Sequence, residues 1–130
     1  MNTSTDRAAA TFTVTLTPGE TLAGAADRFD LSKSWTGALE GTSHGVMLTA
    51  GDPASGNASY IATELFEGTL EGREGTVTLQ QLGTMAGSEP ELSYVIAPGS
   101  GTGALAGLTG TLTIGTIHED GRHDVTVELS

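Results

Sequence analysis

Apolar and polar residues alternate along most of this chain, and this period of two is the strongest constraint on its fold. In residues 11–17 (TFTVTLT), for example, Phe12, Val14 and Leu16 alternate with threonines, as in a strand with one apolar face. No stretch of about 10–12 residues has the helical period instead. The sequence therefore predicts an all-β protein.

Turn residues, including many of the 19 glycines, divide the alternating pattern into eight predicted strands. The strands are expected at residues 11–17, 29–35, 39–50, 60–70, 73–82, 92–96, 110–118 and 122–129. Residues 1–10 are expected to form a flexible tail. The segment that follows Pro18-Gly19, up to Ala26, could hold a short helical turn.

Most of the connections are tight turns, whereas parallel strands need crossovers of about a dozen residues or more. Neighbouring strands are therefore expected to be antiparallel. Closing the sheet hides its edges most completely. We predict that residues 1–130 form one domain, an eight-stranded antiparallel up-and-down β-barrel. Its interior would be just wide enough to be filled by side chains or to hold one small ligand.

Charge and composition exclude several classes of partner. The chain has 16 acidic residues against five Lys and Arg, a net charge of −11, and this field repels phosphate. Nucleic acids and membranes are not expected as partners, and no run of 18 apolar residues could span a bilayer. The absence of cysteine excludes disulfides and thiol chemistry. Together with the lack of a signal-peptide pattern, it favours a cytoplasmic location.

The tight turn at residues 71–72 predicts which side chains face each other in the longest hairpin. A two-residue turn pairs Glu64 with Leu79, and Gln81 then lies diagonally within about 7 Å of Glu64. Tyr60 shares this face. An acid among apolar neighbours on a barrel wall is a candidate general acid or base. Glu64, Gln81 and Tyr60 are therefore the candidate catalytic residues, with two alternatives open: an outward-pointing face, or a single internal hydrogen bond to Glu64.

Further aromatic, apolar or imidazole side chains of the predicted strands are candidate ligand contacts. These are Trp35, His44, Phe66, Leu79 and Tyr94. A two-residue turn at Gly37-Ala38 would place His44 opposite Leu31 and near Lys33. The alternative, that His44 is merely packed against its neighbours, stays open.

Two other patterns suggest chemistry but lack the context that it needs. The Asp120-Gly121 turn would place His118 opposite His123, which is fewer ligands than a zinc site uses. Residues 99–104 (GSGTGA) match a dinucleotide-binding pattern, yet no helix follows to meet a pyrophosphate. We expect neither a metal nor a cofactor, and we interpret these glycines as a bend between strands.

Several stretches of the chain resemble a bacterial family known as domain of unknown function 3224. They are residues 37–50 (GALEGTSHGVMLTA), 60–85 (YIATELFEGTLEGREGTVTLQQLGTM), 98–114 (PGSGTGALAGLTGTLTI) and 121–123 (GRH). The resemblance implies a barrel similar to allene oxide cyclase and no assigned reaction. It also implies that a histidine commonly stands where this chain has Gln81, so that Glu64 lacks that titratable partner here.

Three functions remain open from the sequence. The favoured hypothesis is a barrel that binds a small, largely apolar molecule in its interior, because few bulky residues are available to fill it. A cofactor-independent isomerase or cyclase would shape such a molecule as its substrate. A filled barrel would instead act through its outer surface as a homodimer or larger oligomer, where Ile61, Leu65 and Leu82 are apolar.

Overall fold

The computed structural model describes residues 6–21 and 26–130, and these residues form eight antiparallel strands that close into a barrel. The strands are β1 Asp6–Pro18, β2 Arg28–Gly37, β3 Leu39–Asp52, β4 Asn57–Leu70, β5 Arg73–Ala86, β6 Glu89–Ile96, β7 Gly110–Ile117 and β8 His123–Leu129. Each strand pairs with the next, and β1 pairs with β8. The predicted fold class is confirmed. Within the described ranges, no helix is long and apolar enough to cross a membrane.

The first strand is longer than predicted. It begins at Asp6 and pairs with β8 from Asp6 opposite Leu129 to Phe12 opposite His123. Residues 6–10 therefore belong to the barrel wall rather than to a tail, because this pairing closes the barrel and Ala10 is buried in it. Residues 1–5 of the predicted tail, and residues 22–25 of the predicted helical turn, lie outside the described residues.

The register between β2 and β3 differs by one residue from the prediction. His44 pairs with Ser32, not with Leu31, because the turn is centred on Ala38 alone and contains an odd number of residues. The backbone of Ala38 is bonded to two other segments: its N–H donates to the Ala9 carbonyl on β1, and its carbonyl accepts from the N–H of Glu71, in the turn between β4 and β5. A slip of one residue exchanges the two faces of a strand. His44 therefore points outward, and Ser43 points into the barrel.

The hairpin of β7 and β8 contains a second departure from the predicted register. Ile114 pairs with Val125 but Ile117 pairs with His123, so β7 has an extra residue between these two pairs. The prediction that His118 lies opposite His123 is wrong, because the turn has three residues, 119–121, so that the His118 N–H donates to the Arg122 carbonyl and Ile117 pairs with His123.

One half of the barrel interior is filled by apolar side chains. A loop, residues 97–109, covers this closed end and inserts Leu105, which has no solvent exposure. The loop is fixed to β5 by backbone hydrogen bonds, from Thr102 N–H to the Thr76 carbonyl and from Ala97 N–H to the Thr78 carbonyl. The side chains that it covers include Leu39, Leu70, Val77, Ile96, Val127 and Leu129. All of these side chains are buried.

The covering loop predicts where the barrel is most sensitive to truncation. Leu105→Ala is expected to lower the free energy of unfolding by about 2–5 kcal/mol, because it leaves a cavity in a closed core. Ile117→Ala, at a side chain that is 61% exposed, is the matched control and is expected to change it by less than about 0.5 kcal/mol. Urea unfolding measures both; equal effects would contradict the assignment of Leu105 to the core.

Candidate functional site

A layer of polar side chains crosses the middle of the barrel. Lys33 on β2, Ser43 on β3 and Glu64 on β4 point inward from three adjacent strands and are all buried. Each occupies an inward position in the alternating pattern of its strand: Lys33 and Glu64 stand between apolar residues, and Ser43 stands between two glycines. Buried charges are tolerated only when they are paired and hydrogen-bonded. The layer meets that requirement.

Glu64 is the centre of this layer. Its Oε2 accepts a hydrogen bond of 2.8 Å from the Lys33 ammonium and one of 3.2 Å from the Tyr94 hydroxyl. Its Oε1 accepts a bond of 2.8 Å from Ser43 Oγ, which in turn accepts one of 2.9 Å from Trp35 Nε1. Both carboxylate oxygens are thus occupied by donors, which holds the side chain in one position.

The Lys33 ammonium is surrounded by hydrogen-bond acceptors and aromatic rings. Besides Glu64, its ammonium donates to Tyr94 Oη at 2.9 Å. It also lies 4.2 Å from the centre of the Phe12 ring and 5.0 Å from that of Tyr94, within cation–π range. Burial lowers the pKa of Lys33, while the adjacent Glu64 carboxylate raises it and offsets part of that shift. The ion pair is therefore a fixed element of the barrel interior.

Tyr60 and Gln81 connect this layer with the open half of the barrel. Gln81 Nε2 lies 3.5 Å from Glu64 Oε2, and the Tyr60 hydroxyl donates to Gln81 Oε1 at 2.8 Å. The Tyr60 ring lies across Gly83, where any Cβ would overlap it. Burial and the negative charge of Glu64 both raise the pKa of Tyr60. Its hydroxyl is therefore protonated at neutral pH.

The open half of the barrel contains a cavity of about 600 Å³. Its wall is formed by the ends of β2 to β6, and Tyr60 is among the residues that line it. Most of the inward-facing lining is apolar or small: Phe29, Met47, Thr49, Gly51, Ala58, Gly83, Met85, Pro90 and Leu92. This volume is within the range of small-molecule sites.

The predicted catalytic residues are brought together, with different access to the cavity. Tyr60 lines it, Gln81 is half-buried behind it, and Glu64 is 1% exposed and bound to Lys33. Acid–base chemistry by Glu64 on a molecule in the cavity would require its partners to move. Of these three residues, Tyr60 is the one that a ligand in the cavity would contact directly.

The predicted ligand contacts are dispersed. Trp35, Phe66 and Leu79 are buried in the apolar core and are not among the residues that line the cavity. Tyr94 is part of the polar layer. His44 lies on the outer surface and bonds to Ser32 Oγ through Nδ1 at 3.2 Å.

The two histidines beside the last turn have separate partners. His118 Nε2 lies 2.9 Å from Asp124 Oδ2, whereas the His123 ring stacks on Phe12 with the ring centres 4.6 Å apart. Over the described part of the chain, no group of three or more His, Cys, Asp or Glu could hold a metal ion.

Sequence reasoning missed two members of the polar layer. Ser43 was missed because a two-residue turn at Gly37-Ala38 would place His44, and not Ser43, on the inward face of β3. Lys33 was predicted to lie near His44 and was not paired with Glu64. The available signal was that a lysine and a glutamate each stand on an otherwise apolar strand face, and such charges need each other when buried.

A family model described as a protein of unknown function, DUF3224, matches residues 8–129. The chain belongs to the DUF3224 family. Among solved structures, a DUF3224-family protein of unknown function from Shewanella oneidensis MR-1 is 35% identical, with a TM-score of 0.85 over 97% of this chain and 96% of that chain. No curated protein matches. The family is thus established without an activity, and the resemblance to allene oxide cyclase stays a prediction.

The buried ion pair of this DUF3224 protein predicts a non-additive pair of substitutions. Lys33→Met leaves the Glu64 carboxylate without its cation and is expected to cost about 3–5 kcal/mol of folding free energy. Adding Glu64→Gln removes that unpaired charge, so the double variant is expected to be more stable than Lys33→Met alone. Urea unfolding of the two single variants and the double variant measures the coupling. Additive losses would contradict a coupled pair.

The two tyrosines predict an unusual alkaline titration. Burial, the charge of Glu64 and a hydrogen bond to it also raise the pKa of Tyr94, so both tyrosines of the chain are shifted upward. The unfolded chain, with tyrosine pKa values near 10, releases these protons first. Stability from both groups is therefore present below about pH 10 and is lost as the pH rises further.

Absorbance at 295 nm is expected to show little tyrosinate in the folded protein at pH 10. The same chain in guanidinium chloride, where about half of each tyrosine is ionised at that pH, is the control. Tyr60→Phe assigns the earlier part of the rise, because Tyr60 is less buried than Tyr94. Normal titration of both groups in the folded protein would contradict their place in the layer.

Proposed function

We propose that this DUF3224 protein binds a small, largely apolar molecule in the open half of its barrel. The observation that carries the proposal is the cavity of about 600 Å³, which has a mostly apolar wall and a single tyrosine hydroxyl joined to a buried polar network. An apolar wall with a few placed polar groups is the usual composition of a small-molecule site. The cytoplasmic location predicted from the sequence stays a prediction.

The interior is therefore neither completely filled nor completely hollow. Apolar side chains occupy the closed end, and the polar layer lies between them and the cavity. A ligand would bury its apolar body against Phe29, Met47 and Leu92. Each Å² of apolar surface removed from water would contribute about 25 cal/mol of favourable free energy. Its polar end would lie at Tyr60.

The isomerase or cyclase alternative keeps the same site but assigns chemistry to it. Tyr60 supports this alternative, since its hydroxyl is held in place by Gln81 at 2.8 Å and lines the cavity. Glu64 supports it less, because it is fully engaged by Lys33, Ser43 and Tyr94. Binding is favoured because it needs no rearrangement of that network.

The oligomer alternative would use a different surface. Ile61 and Leu82 pair across β4 and β5 on the outside of the barrel and are 53% and 47% exposed. A homodimer formed there would cover apolar surface without involving the cavity. Sedimentation of Leu82→Ser against the unchanged protein distinguishes this role from the cavity function.

Binding of the neutral fluorophore N-phenyl-1-naphthylamine tests the proposal. Its emission is expected to rise with the unchanged protein, and Ala58→Trp, which fills the cavity from β4, is expected to weaken binding at least ten-fold. Thr49→Trp on β3 is a second blocking variant, and each is checked for a native circular dichroism spectrum.

Leu82→Ser on the outer face is the control, and it is expected to bind the fluorophore like the unchanged protein. Binding that survives both blocking variants but is lost in Leu82→Ser would place the site on the outside of the barrel. That result, or the absence of any binding, would overturn the proposed function.

A further inference from the structure

The hydrogen bonds between the buried ion pair and the cavity have one direction. Glu64 is held beside the Lys33 ammonium as a carboxylate, whose oxygens only accept. The Gln81 atom that lies 3.5 Å from Oε2 is the amide nitrogen, which is a donor. The reverse orientation would bring the amide oxygen against the carboxylate. The ion pair thus fixes which end of the Gln81 amide faces Tyr60.

This orientation determines what Tyr60 can offer to a ligand. Gln81 presents its Oε1 to Tyr60, so the Tyr60 hydroxyl proton is used in the 2.8 Å bond to that oxygen. A tyrosine hydroxyl has one proton and can also accept hydrogen bonds. The raised pKa of Tyr60 keeps that single proton in place. Toward a ligand in the cavity, Tyr60 Oη can therefore only accept a hydrogen bond.

The charged residues around the cavity also restrict the kind of ligand that could bind. Among the described residues that line it, the charged ones are Asp27 and Glu91, both acidic, and the chain as a whole carries a net charge of −11. An anionic ligand would be repelled by these carboxylates, whereas a neutral or cationic one would not. Local hydrogen bonding and the wider field thus select the same kind of molecule.

We propose that the ligand is an apolar molecule whose polar end donates a hydrogen bond to Tyr60 Oη, as in an alcohol or an amine, rather than a carbonyl compound or a carboxylate. This inference rests on the proposed function. A carbonyl group at the same place would bring two accepting oxygens together, unless Tyr60 gave up its bond to Gln81. Selection is therefore built into the polar layer and not into the shape of the cavity.

Four naphthalene derivatives with the same apolar body test the inference by isothermal titration calorimetry at pH 7.5. The donors are 2-naphthalenemethanol and 2-naphthylmethylamine; 2-acetylnaphthalene and 2-naphthoate only accept. The two donors are expected to bind at least ten-fold more tightly than the two acceptors. Tyr60→Phe is expected to weaken the donors and to bring the alcohol-to-ketone affinity ratio close to one.

A second variant tests the direction of the network independently. Gln81→Met removes the acceptor that occupies the Tyr60 proton, so Tyr60 becomes free to donate. Ketone affinity is expected to rise several-fold while alcohol affinity changes little. Gln80→Met, at the neighbouring exposed position on β5, is the matched control and is expected to leave all four affinities unchanged.

The outcomes separate this inference from the proposed function. If none of the four compounds binds, the proposed function fails. If they bind but the ketone or the carboxylate equals or exceeds the alcohol, the cavity function stands and the donor rule is overturned. If Gln81→Met does not fold, the ratio measured with Tyr60→Phe still decides between the two results.

Discussion

The pairing of Lys33 with Glu64 is the interaction on which the rest of the interior depends. Two opposite charges at 2.8 Å, both buried, are stable only if every remaining donor and acceptor around them is satisfied. Ser43, Tyr94 and Gln81 each donate a hydrogen bond to the Glu64 carboxylate, and Ser43 is itself bonded to Trp35. One ion pair thereby fixes a complete layer across the barrel.

That layer divides an eight-stranded barrel into two halves with different properties. On the side of the closed end, apolar side chains and the loop of residues 97–109 fill the interior, so this half supplies stability. In the open half, on the other side of the layer, the ends of β2 to β6 enclose a cavity. The charges themselves are shielded from the cavity, and their effect reaches it through the orientation of Gln81 and Tyr60. The proposed binding site thus lies at the boundary between the two halves.

Much of the barrel was predictable from the sequence, because the alternation of apolar and polar residues determines both the strands and their inward faces. The hairpin of β4 and β5 was predicted with its observed register, and so Glu64, Gln81 and Tyr60 were correctly brought together. The turn at Ala38 was not, because its backbone bonds to Ala9 on β1 and to Glu71 in the turn between β4 and β5, and both are distant in sequence.

That turn had a direct consequence for the site, since a one-residue slip exchanged Ser43 for His44 at the inward position. The pairing of Lys33 with Glu64 also crosses from β2 to β4 over an intervening strand, a contact that strand periodicity does not specify.

The most direct test of ligand binding in the open half is a crystal structure of the protein with 2-naphthalenemethanol. The naphthyl group is expected within the open half, with its hydroxyl within hydrogen-bonding distance of Tyr60 Oη. A naphthyl group bound against Ile61 and Leu82 on the outer face would contradict a binding site inside the barrel.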